Sequence, residues 1–280
     1  MEKTQEQPQF DIIIEAGRTE LHYWKDIWRY RELFYFLAWR DILVRYKQTI
    51  VGVAWALVRP FLTMVVFTVV FGKLGKFESF GAPYAIMVFA AMLPWQFFSN
   101  SLSEASNSLV GSANLISKVY FPRLIIPANS IITSFVDFLI SAVILVGLMV
   151  WYHFTPCWRV LTLPVFIAIA FAAAMGAGLW FTALNVKYRD FRIIVPFIVQ
   201  FGLYISPVGF SSSVVPEKWR LLYSLNPMVG VIDGFRWAIL GGQSVIYMPG
   251  FIISIVMVST TLISGVWYFR RTEKTFADVI

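Results

Sequence analysis

Three ionisable residues stand inside or beside long apolar runs: Arg59, Glu104 and Asp137. A charge in such a place is expensive, so it is kept for a partner, a water-filled path or a ligand. Arg59 lies eight residues beyond Val51, about 12 Å along a helix rising ~1.5 Å per residue. A central arginine costs roughly 2.5–3.5 kcal/mol on insertion scales. It either snorkels to the interface or pairs with an acceptor such as Asp137, or it faces a pathway and meets a ligand there.

Other chemistry is absent from the pattern. No serine elbow, zinc-ligand pair or carboxylate cluster is present, and neither His22 nor His153 has a companion at ligand spacing. The single cysteine, Cys157, can close no internal disulfide and has no second thiolate beside it. No G-x-x-x-x-G-K-[ST] phosphate loop occurs, so the chain is not expected to hydrolyse ATP or to bind a cofactor or metal of its own.

Aromatic side chains are the abundant resource. Trp55, Phe61, Phe67 and Phe71 fall in the first apolar run, and Phe197, Phe201 and Tyr204 in the fifth. Each can be a packing or interface-belt residue. As a set they offer another possibility: sugar rings present apolar C–H faces that stack on aromatics, loosely enough for a polymer to slide.

These residues need elements to carry them. The chain is 58% hydrophobic and only 14% charged over 280 residues, which makes lipid the expected solvent. Six apolar stretches, near 51–72, 83–103, 124–152, 160–184, 193–211 and 245–269, are each about long enough for a helix to cross a hydrocarbon core roughly 30 Å thick. They lack the alternation of transmembrane strands. The expectation is an all-α protein of six spans.

Sixteen Lys and Arg residues fall in the termini and the connections on one side and six on the other, which puts both termini in the cytoplasm under the positive-inside rule. The formal charge of +7 therefore describes membrane orientation rather than a nucleic-acid partner. The polar start, 1–20, lacks the form of a cleavable leader.

Two further elements are expected. Residues 29–48 read as an amphipathic helix on the membrane surface, with Tyr35, Trp39, Ile42 and Tyr46 on one face and Asp41, Arg45 and Gln48 opposite. Phe34 and Leu37 break that pattern, which points to protein covering the polar face. Pro216, the Asn226–Pro227 break and Gly241 with Gly242 mark two short helices within 213–242, a hairpin dipping into the outer leaflet. Such a hairpin either caps the bundle or forms a pathway mouth. The halves show no internal repeat.

Five stretches carry a family resemblance: RDILVRYKQTIVGVAWALVRP from Arg40, GAPYAIMVFAAMLPWQFF from Gly81, NLISKVYFPRLIIP from Asn114, LNPMVGVIDGFRWAILG from Leu225 and FRRTEKTFADVI from Phe269. Together they resemble the permease subunit of bacterial polysaccharide ABC exporters, the O-antigen, capsule and teichoic-acid group. The resemblance implies a homodimer in the bacterial inner membrane, bound by two copies of a separate ATPase that holds the ATP and Mg. It also implies a glycan on a polyprenyl pyrophosphate lipid as substrate.

Carried onto this chain, the resemblance makes 108–123 the first coupling segment, with Asn114, Lys118, Tyr120, Phe121 and Arg123 as ATPase contacts. It makes 185–192 the second, with Lys187 and Arg189. The turn into the first span, where relatives often carry Leu-Gly, is Val51 and Gly52 here and takes the gate position. Trp55, Arg59, Phe67, Phe71, Phe197, Phe201 and Tyr204 become the pathway residues, and Arg59 the candidate for the pyrophosphate. The expected division is an N-terminal tail and interface helix over 1–50, a transmembrane domain over 51–269 and a tail over 270–280. The alternatives are a polytopic membrane enzyme acting on lipid-linked sugars, which needs acidic or metal-binding residues not found here, and an ion-coupled transporter, which needs more buried charge.

Overall fold

A computed structural model describes residues 20–47, 50–77, 79, 81–241 and 244–276, and among them every regular element is helical. Helices α1 (Glu20–Arg29) and α2 (Arg31–Lys47) precede α3 (Ile50–Phe67), which runs on as a wider π-helical stretch, Thr68–Leu74. Then come α4 (Tyr84–Gly111), the single turn α5 (Ala113–Ile116), α6 (Ile125–Trp151), α7 (Leu163–Lys187) and α8 (Phe191–Ile205). The short α9 (Glu217–Tyr223) and α10 (Pro227–Ile239) lead to α11 (Met248–Thr272).

Among the described residues, five helices are long and apolar enough to cross a membrane: α3 with its extension, α4, α6, α7 with the 3-10 turn before it, and α11 with the 3-10 turn that follows it. The fifth apolar stretch is a shorter helix, α8, of 15 residues. It ends six residues before the expected boundary at Ser211, because Pro207 has no N–H to continue the ladder and the chain turns out at Ser206. The second stretch runs eight residues longer than expected, to Gly111, since serines at 103, 106 and 108 each bond back to a carbonyl three or four residues earlier and sit in the helix without breaking it.

The core lies around α4. Ile86 to Met92 are fully buried, and 83% of its apolar window is covered, against 17% for α3 and 22% for α11. So α4 is wrapped by protein on all sides while α3 and α11 keep broad outer faces. Small residues allow the close contacts that helices in lipid depend on. A Cβ on Gly176 would stand 2.6 Å from the Leu262 backbone, and one on Gly265 would stand 2.4 Å from the Gly176 carbonyl, so α7 and α11 touch backbone to backbone.

A second cluster gathers the ends. Leu37, Ile116, Phe121, Leu124, Val186, Phe269 and Phe276 pack together, with Tyr23 and Ile27 against them. Helices α1 and α2, the 112–123 and 185–192 connections and the end of α11 thus meet at one end of the bundle.

The surface helix departs from expectation in two ways. The preceding stretch is also helical, giving α1, with a break at Tyr30. Tyr35 and Trp39 do face outward, but Tyr46 does not join them; its hydroxyl donates to Asp137. Asp41 and Arg45 face the bundle, while Gln48 lies outside the described residues.

Candidate functional site

Aromatic residues far apart in sequence come together where α3 meets α8. Phe67 lies 5.3 Å from Phe71 and 6.5 Å from Tyr204, ring centroid to centroid, the latter pair nearly parallel at 17°. Farther along α8, Phe197 and Phe201 are 4.3 Å apart. Phe67 is buried, but Phe197, Phe201 and Tyr204 are 59%, 50% and 61% exposed, so α8 offers three open rings beside the Phe67–Phe71 pair. Trp55, Val51 and Gly52 lie in the first turns of α3, and their side chains fall outside the described residues.

Arg59 is exposed on α3 and forms no ion pair among the described residues; only its carbonyl is engaged, by Thr63. Asp137, its expected partner, is taken. Arg45 reaches it at 2.9 Å and grips Glu104 at 2.7 and 3.1 Å, while Tyr46 bonds the other Asp137 oxygen. Asn129 on α6 donates to Asp41 at 2.5 Å. The surface helix is therefore tied to α4 and α6 by its polar face. Burial on its own lowers the pKa of Arg45, but Glu104 and Asp137 outweigh it and the net shift is upward, which keeps the guanidinium charged.

The segment after α8 leaves helical form yet is buried from Ser206 to Gly209. Its carbonyls need partners, because lipid supplies none. Tyr223 donates to Ile205 at 2.7 Å, Tyr84 to Gly209, and Arg236 to Val208 at 2.8 Å and Phe210 at 2.7 Å, with its Nε also on Met87 at 3.3 Å. Arg236, a cation that the positive-inside reading would leave in a connection, is 1% exposed and works as an internal staple. Asn226 caps α10 by accepting from the Met228 N–H at 3.0 Å, and it donates to Ser206 at 2.9 Å. Beyond α10, Gly241 takes the positive φ of +73° that a non-glycine residue rarely adopts. Gly242 lies outside the described residues.

At the end of the bundle where the second cluster lies, the coupling residues divide. Asn114, Lys118, Tyr120, Lys187 and Arg189 are exposed. Phe121 is only 4% exposed and packs inward, and Arg123 turns its guanidinium to the Glu273 carbonyl. Residues 116–121 with Arg123 line a concavity of about 260 Å³. Near this end α7 is tied to α4 through Asn185, whose amide donates to the Ser106 carbonyl at 2.8 Å and to Asn107 at 3.2 Å.

Sequence reasoning missed Arg236, Asn185 and Glu273; it placed Arg45 on a protein-covered polar face without finding its partners Glu104 and Asp137. Asn226–Pro227 was the available signal for the start of α10, which carries Arg236.

Residues 32–240 match the family profile described as ABC-2 type transporter. The chain is 24% identical over 248 residues to the O-antigen export system permease protein RfbA of Klebsiella pneumoniae, covering 86% of this chain and 92% of the relative. With the protein of the same name from Myxococcus xanthus it shares 26% over 214 residues, 76% and 82% of the two chains. It is 22% identical over 247 residues to the polysialic acid transport protein KpsM of Escherichia coli, covering 84% and 91%.

Proposed function

Because this chain belongs to the ABC-2 type transporter family and is the membrane-spanning permease subunit of a polysaccharide ABC exporter, we propose that it moves a polyprenyl-pyrophosphate-linked, O-antigen-like glycan out of the cytoplasm, as a homodimer in the bacterial inner membrane. The observation that carries the substrate reading is the aromatic gathering of α3 and α8. Phe67 stacks on Tyr204 and meets Phe71 at a tilt, while Phe197, Phe201 and Tyr204 stay open. Rings placed so can hold successive sugars without fixing any one of them. The broad outer face of α3, little covered by this chain, is where a second copy would close the path.

In this reading α8 is the fifth of six spans. At 15 residues it measures about 22 Å, and the buried, side-chain-capped segment after it completes the crossing. The α9–α10 hairpin is then re-entrant from the outer face, both termini are cytoplasmic, and Val51 with Gly52 forms the gate at the start of α3. Residues 1–50 form the tail and interface helix, 51–269 the transmembrane domain and 270–280 the C-terminal tail. Two copies of the ATPase, carrying ATP and Mg, dock on the exposed Asn114, Lys118, Tyr120, Lys187 and Arg189, with Phe121 and Arg123 supporting that surface from behind. Arg59, exposed and without an ion-pair partner among the described residues, is suited to the pyrophosphate.

Cells lacking the chain are expected to accumulate lipid-linked glycan on the cytoplasmic face. Wild type clears it, whereas Phe201→Ala with Tyr204→Ala, present at equal membrane level, does not. Clearance by the double variant would remove the aromatic path, and an absence of lipid-linked glycan in the deletion strain would remove the substrate.

A further inference from the structure

The first turn of α6 closes on local carbonyls, the Ile125 N–H on Pro122 at 3.1 Å and the Ile126 N–H on Arg123 at 3.2 Å. The last residue of the connection before it has no local acceptor of that kind and is held from 150 residues away: Oε1 of Glu273 takes the Arg123 N–H at 2.7 Å. Its Oε2 accepts from the Tyr23 hydroxyl at 2.8 Å, and its carbonyl accepts from the Arg123 guanidinium. Arg270, one turn earlier, lies 4.5 Å over the Tyr23 ring. Phe276 then buries itself against Phe269 at 5.3 Å, among Ile116, Phe121 and Leu124. One carboxylate thus joins α1, the end of α11 and the point where the 112–123 connection enters α6.

We propose that Glu273 is a positioning residue for energy coupling: by bonding the Arg123 N–H just ahead of α6 and holding Tyr23, it fixes the end of the 112–123 connection so that movement of the ATPase is delivered to α6 rather than absorbed in the loop. The arrangement suits that task. The exposed contacts, Lys118 and Tyr120, stand on a short connection whose other side is anchored by Ile116, Phe121 and Arg123. Only a rigid anchor lets a push on the exposed side turn the helix behind it. Tyr23 extends the anchor to α1, and its hydroxyl stays protonated because burial, then Glu273, pushes its pKa up.

This rests on the reading of 112–123 as an ATPase contact, so the test separates the two. In the reconstituted complex of full chain and ATPase, a photo-crosslinking phenylalanine analogue at position 120 should capture the ATPase. No capture overturns the reading itself. With capture established, Glu273→Ala should lower glycan exported per ATP hydrolysed by about fivefold or more, on the scale of a lost hydrogen bond to a carboxylate. Glu273→Gln, which keeps an acceptor for the Arg123 N–H, should retain most of the ratio, and Tyr23→Phe should lie between. A purely structural role would reduce membrane level and ATPase rate together and leave the ratio at the wild-type value. That outcome, in Glu273→Ala or in the milder Tyr23→Phe if the first does not accumulate, overturns the proposal.

Discussion

Arg59 and Arg45 show how two arginines near the same membrane face divide. Arg45 is held by Glu104 and Asp137, two carboxylates on different helices, and serves architecture. Arg59 has no such hold among the described residues, which leaves its charge to water, headgroups or ligand. Lysine there keeps the charge but loses the planar fork, and glutamine loses both. At constant membrane level, Arg59→Lys should reduce export severalfold and Arg59→Gln by about tenfold or more, as expected for removing a bidentate charge-assisted contact. Glycan-stimulated ATPase should fall in the same order. Normal export in Arg59→Gln would show that the pyrophosphate is recognised elsewhere. The sequence singled out Arg59 by its apolar surroundings. It did not pair Asp137 correctly, because the partner stands 92 positions away on a helix whose polar face turns inward.

Among the elements, the segment between α8 and α9 depends most on one side chain. Arg236, itself buried, donates to three carbonyls, at Met87, Val208 and Phe210. Each orphaned acceptor costs about 1–3 kcal/mol, so Arg236→Met should destabilise the chain by about 3 kcal/mol or more and lower its melting temperature in detergent. Arg236→Lys, a single point donor, should recover only part of the loss. A melting curve unchanged in Arg236→Met would mean that the segment after α8 is held by Tyr84, Tyr223 and Asn226 without it. The limits of α9 and α10 were legible from Pro216, Asn226–Pro227 and Gly241, which break or cap helices for local reasons. The burial of α10 was not legible: Arg236 reads as a loop cation until α4 is placed beside it.

For the whole molecule, the lack of a phosphate loop leads to a direct expectation. The purified chain should hydrolyse ATP at background rate and gain activity only in complex with its ATPase; hydrolysis by the chain alone, persisting after removal of contaminating ATPases, would contradict this. The sequence by itself determined the all-helical class, the apolar stretches and the family, since a chain in lipid must satisfy its backbone within each segment and declares its helices by length and apolarity. Only the tertiary structure decided which helix is the core, that Glu104 and Asp137 are the carboxylates Arg45 meets, and that Glu273 reaches Arg123. The physical reason is common to all three. In a span that is hydrophobic all round, apolarity carries no direction. The facing of α4 was settled by small residues and polar bonds between helices such as Thr182 to the Ala105 carbonyl at 2.7 Å and Asn185 to Ser106, contacts that exist only once distant segments are side by side.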